Sequence, residues 1–299
     1  MELRQLKYFV TIAKTLSYSK ASKMLYITQG TLSQQIQQLE NELGTQLFDR
    51  TSHSVSLTEA GQEMLPLAER TIESSMDCFQ KISDLKKGLC GTLTIGLTTS
   101  FRRIMTDTIK NFISNYPKVQ LNIVYGTVQN LMPRLRDHEL DLMLAFKPSV
   151  LDDSVELTPL ISTSLCAIMS KDHPLAGHPK VTMDELKQQR IVLPGAGLQA
   201  RKAFDQYVNF DTSKLNVCIQ INNPNGIIRL VRGTRLVAIM SSLAAVYDTS
   251  LIAVPIEGIE RPMTGCIHTI KGKYSKKSAL AFIEQLKEQS KYFDITQHL

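Results

Sequence analysis

Apolar residues recur at helical spacing between residues 29 and 43. They are Leu32, Ile36, Leu39 and Leu43, and intervals of four, three and four positions place them on one stripe of a helix. Thr28 is the predicted N-cap, because its hydroxyl can accept a hydrogen bond from a backbone N–H of the first turn. A shorter helix is predicted over about residues 19–25, and residues 26–28 interrupt the pattern. The sequence therefore predicts two helices joined by a tight turn.

The face of the second helix opposite this stripe is polar, short-chained and almost uncharged. It carries Thr31, Ser33, Gln34, Gln37, Gln38 and Asn41. Glutamine can pair bidentately with adenine in the major groove, and serine and threonine can donate or accept at base edges. In a helix-turn-helix the second helix enters that groove while the first crosses the backbone. The alternative is an ordinary surface helix with a solvated polar face, and the helix pair alone leaves both interpretations open.

Further elements flank this pair: a helix over about residues 2–15, a short two-stranded sheet over residues 49–56, and a long helix from Thr58 to about Lys87. The long helix has a heptad-like seam of Leu65, Ala68, Ile72, Ser75, Phe79, Ile82 and Lys86. We expect the seam to pair with the same helix of a second subunit; packing against its own chain is the alternative. Pro66 removes a helical hydrogen bond and predicts a kink.

From residue 93 onward, apolar runs alternate with helical segments. Strands are predicted at residues 93–97, 120–126, 141–146, 164–170, 190–195, 216–221, 236–242, 251–256 and 264–271, and helices at 101–115, 128–137, 182–189, 199–208, 224–232, 242–247 and 275–292. This alternation favours parallel sheets with right-handed crossovers. Two crossings, near residues 161 and 266, divide the elements into two α/β lobes.

The composition of 43% apolar and 21% charged residues over 299 positions is typical of a soluble globular protein with more than one domain. No stretch approaches the ~20 apolar residues of a membrane span, and the N-terminus does not have the pattern of a signal peptide. We therefore expect a cytoplasmic protein without membrane association. The five cysteines include no C-x-x-C pair, which favours buried reduced thiols and predicts neither a metal site nor a cofactor.

The net charge of +6 does not by itself indicate DNA binding, because residues 1–90 contain ten basic and ten acidic side chains. The excess lies in residues 91–299, with 24 basic and 18 acidic side chains. Contacts with phosphate must therefore come from the placement of individual groups, such as Lys20, Lys23, Arg50 and the helix N-termini.

Several separate motifs occur in a fixed order near the N-terminus. They are S-x-x-I-x-x-L-E (Ser33, Ile36, Leu39, Glu40), L-G-x-x-L-F-x-R (Leu43, Gly44, Leu47, Phe48, Arg50) and L-T-x-A-G (Leu57, Thr58, Ala60, Gly61). With Phe9, Ala13 and Ser17 ahead of them, these motifs resemble the N-terminal domain of the LysR-type transcriptional regulators. The resemblance covers the whole chain, although the C-terminal part matches by pattern more than by motif.

The resemblance implies an N-terminal all-α winged helix-turn-helix with a long linker helix, and a C-terminal α/β two-lobed effector domain like the periplasmic binding proteins. The expected bounds are 1–58 for the DNA-binding domain, 59–88 for the linker and dimerisation helix, and 89–299 for the regulatory domain. Within the regulatory domain, lobe I covers about 91–161 and 267–299, and lobe II about 162–266. The implied partners are double-stranded promoter DNA, a small-molecule effector and further copies in a homodimer or homotetramer, with RNA polymerase as another candidate.

The predicted DNA contacts combine the polar helix face with this resemblance. They are Ser17, Lys20, Gln29, Thr31, Ser33, Gln34, Gln37, Arg50 and His53. The chain departs from the family near Gln34, Gln37 and His53, where other members are commonly basic. We therefore expect fewer phosphate contacts and a different base preference.

The predicted effector contacts follow the strands, because ligands of such sheets bind outside the carboxyl ends of the strands. They are Thr99, Ser100, Thr127, Phe146, Leu198, Gln199 and Asn223. Ser100 and Thr127 look like the usual effector contacts of the family, although each residue could instead simply cap a helix. A basic cluster of Lys271, Lys273, Lys276 and Lys277, together with the uneven charge, favours an anionic effector.

Three other functions are less consistent with the sequence. The sequence contains no P-loop, H-E-x-x-H or G-x-S-x-G motif of an enzyme, and we expect the histidines of the loop at 172–179 to lie on the surface. A solute-binding transport protein would not need residues 1–88. Peroxide-sensing members of the family carry two cysteines in the loop that corresponds to about 195–215, where this chain has none.

Overall fold

The computed structural model of the protein describes residues 1–50, 54–87, 89–207, 214–246, 248–259 and 261–293. The chain forms two compact units, Met1–Lys86 and Lys87–Leu299. Within the described ranges, no helix is long and apolar enough to cross a membrane. The predicted DNA contact His53 and the side chains of Arg50 and Lys86 lie outside the described residues.

The described part of the first unit contains helices and a two-stranded antiparallel sheet. They are α1 (Leu3–Thr15), α2 (Tyr18–Met24), α3 (Gln29–Leu43), β1 (Phe48–Arg50), β2 (Val55–Leu57) and α4 (Glu59–Lys87). Helix α3 begins directly after Thr28, as predicted, and ends at Gly44, whose φ of 69° suits glycine. Helix α2 begins one residue earlier than predicted, because the Ser17 hydroxyl accepts a hydrogen bond from the Lys20 N–H at 3.3 Å.

The core of this unit lies where α3 packs against α1 and the sheet. Leu32, Ile36 and Leu39 are fully buried there, as the apolar pattern predicts, together with Phe9 and Phe48. The prediction was wrong for the last position of the stripe, because Leu43 is 41% exposed. Glu40, directly after Leu39, is the buried residue of that turn.

Glu40 is a buried acidic residue with a defined role in this core, which the apolar pattern did not predict. Its side chain is 4% exposed, and its Oε1 accepts hydrogen bonds from the backbone N–H groups of Leu47 at 2.9 Å and Phe48 at 3.2 Å. These donors lie at the start of β1, where the chain leaves α3. The carboxylate therefore fixes the end of α3 to the two-stranded sheet, because buried N–H groups need an acceptor.

Helix α4 has two differently packed halves. Thr58 caps it by accepting a hydrogen bond from the Gly61 N–H at 3.0 Å, as predicted, and the helix continues across Pro66. Ala68 is buried in the core of the first unit, with Leu65 and Ile72 packed beside it. Phe79 is 78% exposed further along the helix. The first half of the predicted seam therefore packs against its own chain, and the second half presents apolar side chains to solvent.

The second unit is built from two five-stranded sheets with helices. Its elements are β3 (Gly91–Leu97), α5 (Arg102–Asn115), β4 (Val119–Tyr125), α6 (Val128–Arg136), β5 (Leu142–Phe146), β6 (Val155–Thr163), β7 (Leu165–Ser170), α7 (Met183–Lys187), β8 (Arg190–Pro194), α8 (Gln199–Tyr207), β9 (Val217–Ile221), α9 (Pro224–Val231), β10 (Leu236–Ser241), β11 (Leu251–Pro255), β12 (Met263–Ile270) and α10 (Lys277–Ser290). The predicted helix at 242–247 is only a 3-10 turn, Ser242–Ala244.

The strand order is β4-β3-β5-β12-β6 in the first sheet and β11-β7-β10-β8-β9 in the second. Strands β3, β4 and β5 are mutually parallel, as are β8, β9 and β10, which confirms the predicted parallel pairing. Antiparallel strands add to each sheet, and one of them, β6, was not predicted. The chain was predicted to cross between the lobes near residues 161 and 266. Strand β6 continues to Thr163 and β12 begins at Met263, so the first sheet includes residues that the prediction assigned to the second lobe.

Two predictions about individual side chains were wrong. Cys166 and Cys266 are buried, but Cys78 and Cys218 are exposed, because they lie on the exposed half of α4 and on the edge strand β9. His173 is 4% exposed, since its loop folds back so that its Nδ1 accepts a hydrogen bond from the Leu175 N–H. Burial lowers the pKa of His173.

We predict that Glu40→Ala lowers the free energy of unfolding of the first unit by about 2–4 kcal/mol. Two buried N–H groups lose their acceptor in this variant, and each such loss costs ~1–3 kcal/mol. Glu40→Gln should cost less, because its amide oxygen can still accept. Calorimetric unfolding of the full-length protein measures the difference. Glu63→Ala, an exposed change in α4, serves as the control and should stay within about 0.5 kcal/mol; equal stability of the Glu40→Ala and Glu63→Ala variants would contradict the role of the carboxylate.

Candidate nucleic-acid interface and ligand cavities

The N-terminal turn of α3 exposes hydroxyl and amide groups. Gln29, Thr31, Gln34 and Gln37 are exposed, and Ser33 is half-buried. Thr28 Oγ1 accepts a hydrogen bond from the Thr31 N–H at 3.1 Å and lies 2.9 Å from Thr31 Oγ1. This surface can meet a duplex, because none of these predicted contacts is packed inside the unit.

Some of the predicted DNA contacts already form hydrogen bonds within the protein. The Gln37 amide donates to Asn41 Oδ1 at 3.1 Å, one helical turn further on. Ser17 is half-buried and its hydroxyl caps α2, although its O–H can still donate. Lys20 is exposed. Gln29, Gln34 and Lys20 are predicted contacts whose side chains carry none of these local bonds.

A cavity of about 380 Å³ lies between the two sheets of the second unit. Six of the seven predicted effector contacts line it: Thr99, Ser100, Thr127, Leu198, Gln199 and Asn223. Its other residues with polar side chains are Thr98, Tyr125, Asn130 and Asn222, and none of the described side chains that line it is charged. We call this space the hydroxyl cavity. The carboxyl-end rule thus places residues from distant parts of the sequence around one volume.

Thr98 is the strongest polar feature of the hydroxyl cavity and was not among the predicted contacts. It is 9% exposed, and its Oγ1 has no hydrogen-bond partner among the described residues. Thr127 lies at the N-cap of α6 without a side-chain cap bond, so its hydroxyl is not used by the helix. Asn223, in contrast, caps α9 by accepting from the N–H groups of Asn225 and Gly226. The run of three hydroxyl residues at 98–100 after β3 is the sequence signal that points to Thr98.

Gln199 links the two lobes through its side-chain amide. Its Oε1 accepts from the Phe146 N–H at 3.1 Å, and its Nε2 donates to the Phe146 carbonyl at 2.8 Å. Since β5 carries Phe146 and α8 begins at Gln199, this pair joins an element of the first sheet to a helix of the second. We call it the Gln199 clasp. Arg102 donates to Asn225 as a second connection, between α5 and α9.

A second cavity of about 240 Å³ lies beside the first and shares Val128, Gly197 and Gln199 with it. Lys147, Lys202 and Tyr207 line it, and we call it the lysine cavity. Phe146 lines this cavity and not the hydroxyl cavity, and Gln199 is the predicted contact that lines both. The Phe146 side chain is buried against Phe101, with ring centroids 5.0 Å apart.

Two lysines of the basic cluster before α10 form contacts within the protein. Lys276 Nζ lies 2.8 Å from Asp141 Oδ1 and donates to the Thr92 carbonyl at 3.0 Å. Lys273 Nζ lies 2.6 Å from His138 Nδ1. None of the four lysines of this cluster lines the hydroxyl cavity. Their positive charge therefore does not directly support the predicted anionic effector in that cavity.

The two buried thiols, Cys166 and Cys266, lie in surroundings that disfavour the reactive thiolate form. Burial raises the pKa of the Cys166 thiol, and burial also raises the pKa of the Cys266 thiol. A raised pKa lowers the fraction of thiolate, which is the form that oxidants attack.

Two family models match this chain. Residues 3–62 match the bacterial regulatory helix-turn-helix protein of the lysR family, and residues 86–291 match the LysR substrate binding domain. Among curated proteins, the HTH-type transcriptional activator CmpR of Synechocystis sp. is 29% identical over 263 residues, which is 87% of this chain and 83% of CmpR. The HTH-type transcriptional regulator BudR of Raoultella terrigena is 33% identical over 188 residues, 62% of this chain and 65% of BudR.

Solved structures share the fold. A full-length OxyR variant from Pseudomonas aeruginosa has a TM-score of 0.66 at 22% identity and covers 97% of this chain and 95% of its own. CbnR in complex with its target DNA has a TM-score of 0.55 at 18% identity, with 97% and 100% covered. Because the substrate-binding model alone spans more than half of the sequence, the chain belongs to the LysR family of DNA-binding transcriptional regulators, a family without enzymatic activity.

Proposed function

We propose that α3 reads base edges in the major groove of a promoter site, with Thr31, Ser33 and Gln34 at the readout positions. The exposed uncharged surface at the N-terminus of α3 carries this proposal. Gln29 and Gln37 extend the same surface, and Lys20 and the Ser17 hydroxyl, from α2 and its cap, contact phosphates. The two-stranded sheet β1–β2 acts as the wing, and Arg50 and His53 belong to that part of the proposal.

We predict that Ser33→Ala combined with Gln34→Ala weakens specific DNA binding by about 10-fold to 100-fold, because each good base contact is worth ~1–3 kcal/mol. The salt dependence should stay the same, since neither side chain is charged. Lys20→Gln should instead weaken binding to every sequence and reduce the salt slope by about one. Gel-shift titrations at several salt concentrations measure both effects, with the exposed Gln62→Ala as control. Unchanged specific affinity in the Ser33 and Gln34 variant would reject the readout assignment.

We also propose that the protein is a homodimer through α4, and that two dimers form a homotetramer. Met76, Phe79 and Ile82 are 57%, 78% and 53% exposed, and they repeat at intervals of three along the helix. Large apolar side chains grouped on one helix face mark an interface. The dimer also explains how a neutral N-terminal region reaches sufficient DNA affinity, since linked copies bind with avidity.

The protein then acts in the cytoplasm, where RNA polymerase is the partner that a regulator of transcription influences.

We expect Phe79→Asp to shift the protein towards smaller species, because burying an unpaired carboxylate in an apolar interface is costly. Light scattering at micromolar concentration measures the mass. Ser74→Asp is the matched control, since Ser74 is exposed on the same helix and lies about 140° around its axis from Phe79. An unchanged mass for Phe79→Asp would place the subunit contact elsewhere.

The third part of the proposal is that the hydroxyl cavity binds a small monoanionic effector, such as a carboxylate. The unpartnered Thr98 hydroxyl in a cavity lined by hydroxyls and amides carries it. The N-termini of α6 and α8 adjoin this space, and the free N–H groups and dipole of a helix N-terminus favour one negative charge. The N-terminus of α9 also adjoins it, but Asn223 already accepts from the N–H groups of Asn225 and Gly226 there. An effector that contacts both lobes changes their arrangement only through its differential affinity for the two arrangements.

We predict that Ser100→Ala combined with Thr127→Ala abolishes the thermal stabilisation that small monocarboxylates give to the full-length protein. Each change removes a hydroxyl donor from the cavity, whereas DNA affinity without ligand should stay within about 2-fold of the original, because both residues lie in the regulatory unit. Differential scanning fluorimetry with a panel of monocarboxylates and their neutral amides provides the measurement. Loss of DNA binding in the absence of any ligand would contradict the assignment.

A further inference from the structure

The lysine cavity brings two cations from opposite lobes to one space. Lys147 directly follows Phe146 at the end of β5, and Lys202 lies three residues after Gln199 in α8. The Gln199 clasp holds Phe146 and Gln199 together, with hydrogen bonds of 3.1 and 2.8 Å. Both lysines therefore line the same cavity as a direct consequence of the clasp.

Both lysines of this cavity are exposed, and Lys147 also lines a neighbouring cavity that carries Asp152, Asp153 and Glu156. No aspartate or glutamate lines the lysine cavity itself, and neither Lys147 nor Lys202 forms an ion pair within the described part of the chain. A third cation lies at its rim, where the Arg261 guanidinium carbon is 5.8 Å from the centre of the Tyr207 ring. The positive potentials of lysines on one cavity add, so an anion in it is favoured electrostatically, by an amount that solvent screening reduces because both side chains are exposed.

We propose that the lysine cavity is a second ligand site, specific for a compact dianion such as a small dicarboxylate or a phosphate. Two ammonium groups match two negative charges, whereas a monoanion would leave one cation uncompensated. The Tyr207 phenol and the Gln206 amide line the same cavity and can complete the hydrogen bonding of carboxylate or phosphate oxygens. The uncharged hydroxyl cavity has no equivalent pair of cations, so the two sites select ligands by their charge.

A dianion at this site also acts on the contact between the lobes. Lys147 belongs to the lobe of the first sheet and Lys202 to the lobe of the second, so a ligand that binds both strengthens the connection already made by the Gln199 clasp. The hydroxyl cavity shares Gln199, Gly197 and Val128 with the lysine cavity. If the proposed effector site is correct, occupation of one cavity changes affinity at the other by the same factor in both directions, as linkage requires.

The binding test uses isothermal titration of the full-length protein with succinate, inorganic phosphate and neutral succinamide as probes. Binding of succinate alone identifies a dicarboxylate site, binding of phosphate alone a phosphate site, and binding of both a general dianion site; each supports the proposal, with succinamide inactive. Lys147→Gln and Lys202→Gln should each weaken binding of the active probe at least 10-fold. Lys147→Arg and Lys202→Arg keep the charge and should bind within a few-fold of the original.

Matched controls separate this site from the proposed effector site. Lys118→Gln and Lys171→Gln remove exposed lysines from the two lobes outside both cavities and should leave probe binding unchanged. The Ser100→Ala and Thr127→Ala double variant should also keep probe affinity, even if the hydroxyl cavity proves not to be the effector site. The proposal is overturned if neither probe binds, if binding survives both glutamine variants, or if the double variant in the hydroxyl cavity removes it.

Discussion

The position of the recognition surface depends on one buried carboxylate. Glu40 lies at the end of α3 and accepts the N–H groups of Leu47 and Phe48, which start the two-stranded sheet. The opposite end of the same helix carries the exposed polar side chains that face outward. A helix held at its C-terminal end by charge-assisted hydrogen bonds and along its length by Leu32, Ile36 and Leu39 presents its N-terminus in a fixed direction. The proposed base readout needs that fixed direction, because hydrogen bonds to base edges tolerate little displacement.

The regulatory unit joins its two sheets by both apolar and polar contacts, because one hydrophobic cluster contains residues of both sheets. Strand β5, which ends at the cavities, is fully buried, and the polar connections between the lobes near the cavities include the Gln199 clasp and the bond from Arg102 to Asn225. A neutral or exposed hydrogen bond contributes only ~0.5–1.5 kcal/mol net. The free-energy cost of breaking one of these hydrogen bonds is therefore within the range that binding of a small ligand can supply.

The sequence predicts what depends on local pattern and not what depends on distant contacts. Thr28, the apolar stripe of α3 and the alternation of strands and helices follow from spacing and capping, and the structure confirms them except at Leu43. Six of the residues selected by the carboxyl-end rule line one cavity. Strand β6 was missed because it is an edge strand with Pro159 beside a register shift, where proline is tolerated but the strand signal is weak. The burial of Glu40 and His173 could not be predicted, since their partners are set by tertiary folding.

The two proposed ligand sites differ mainly in the charge of the side chains that line them. Backbone N–H groups and hydroxyls stabilise a single negative charge without a fixed counter-ion, and such donors are the groups that line the hydroxyl cavity. Two lysines stabilise two charges, but they repel each other when no ligand is present. The clasp at Gln199 lies between these environments and contacts both. Because Val128, Gly197 and Gln199 line both cavities, a ligand in one of them contacts residues that also face the other.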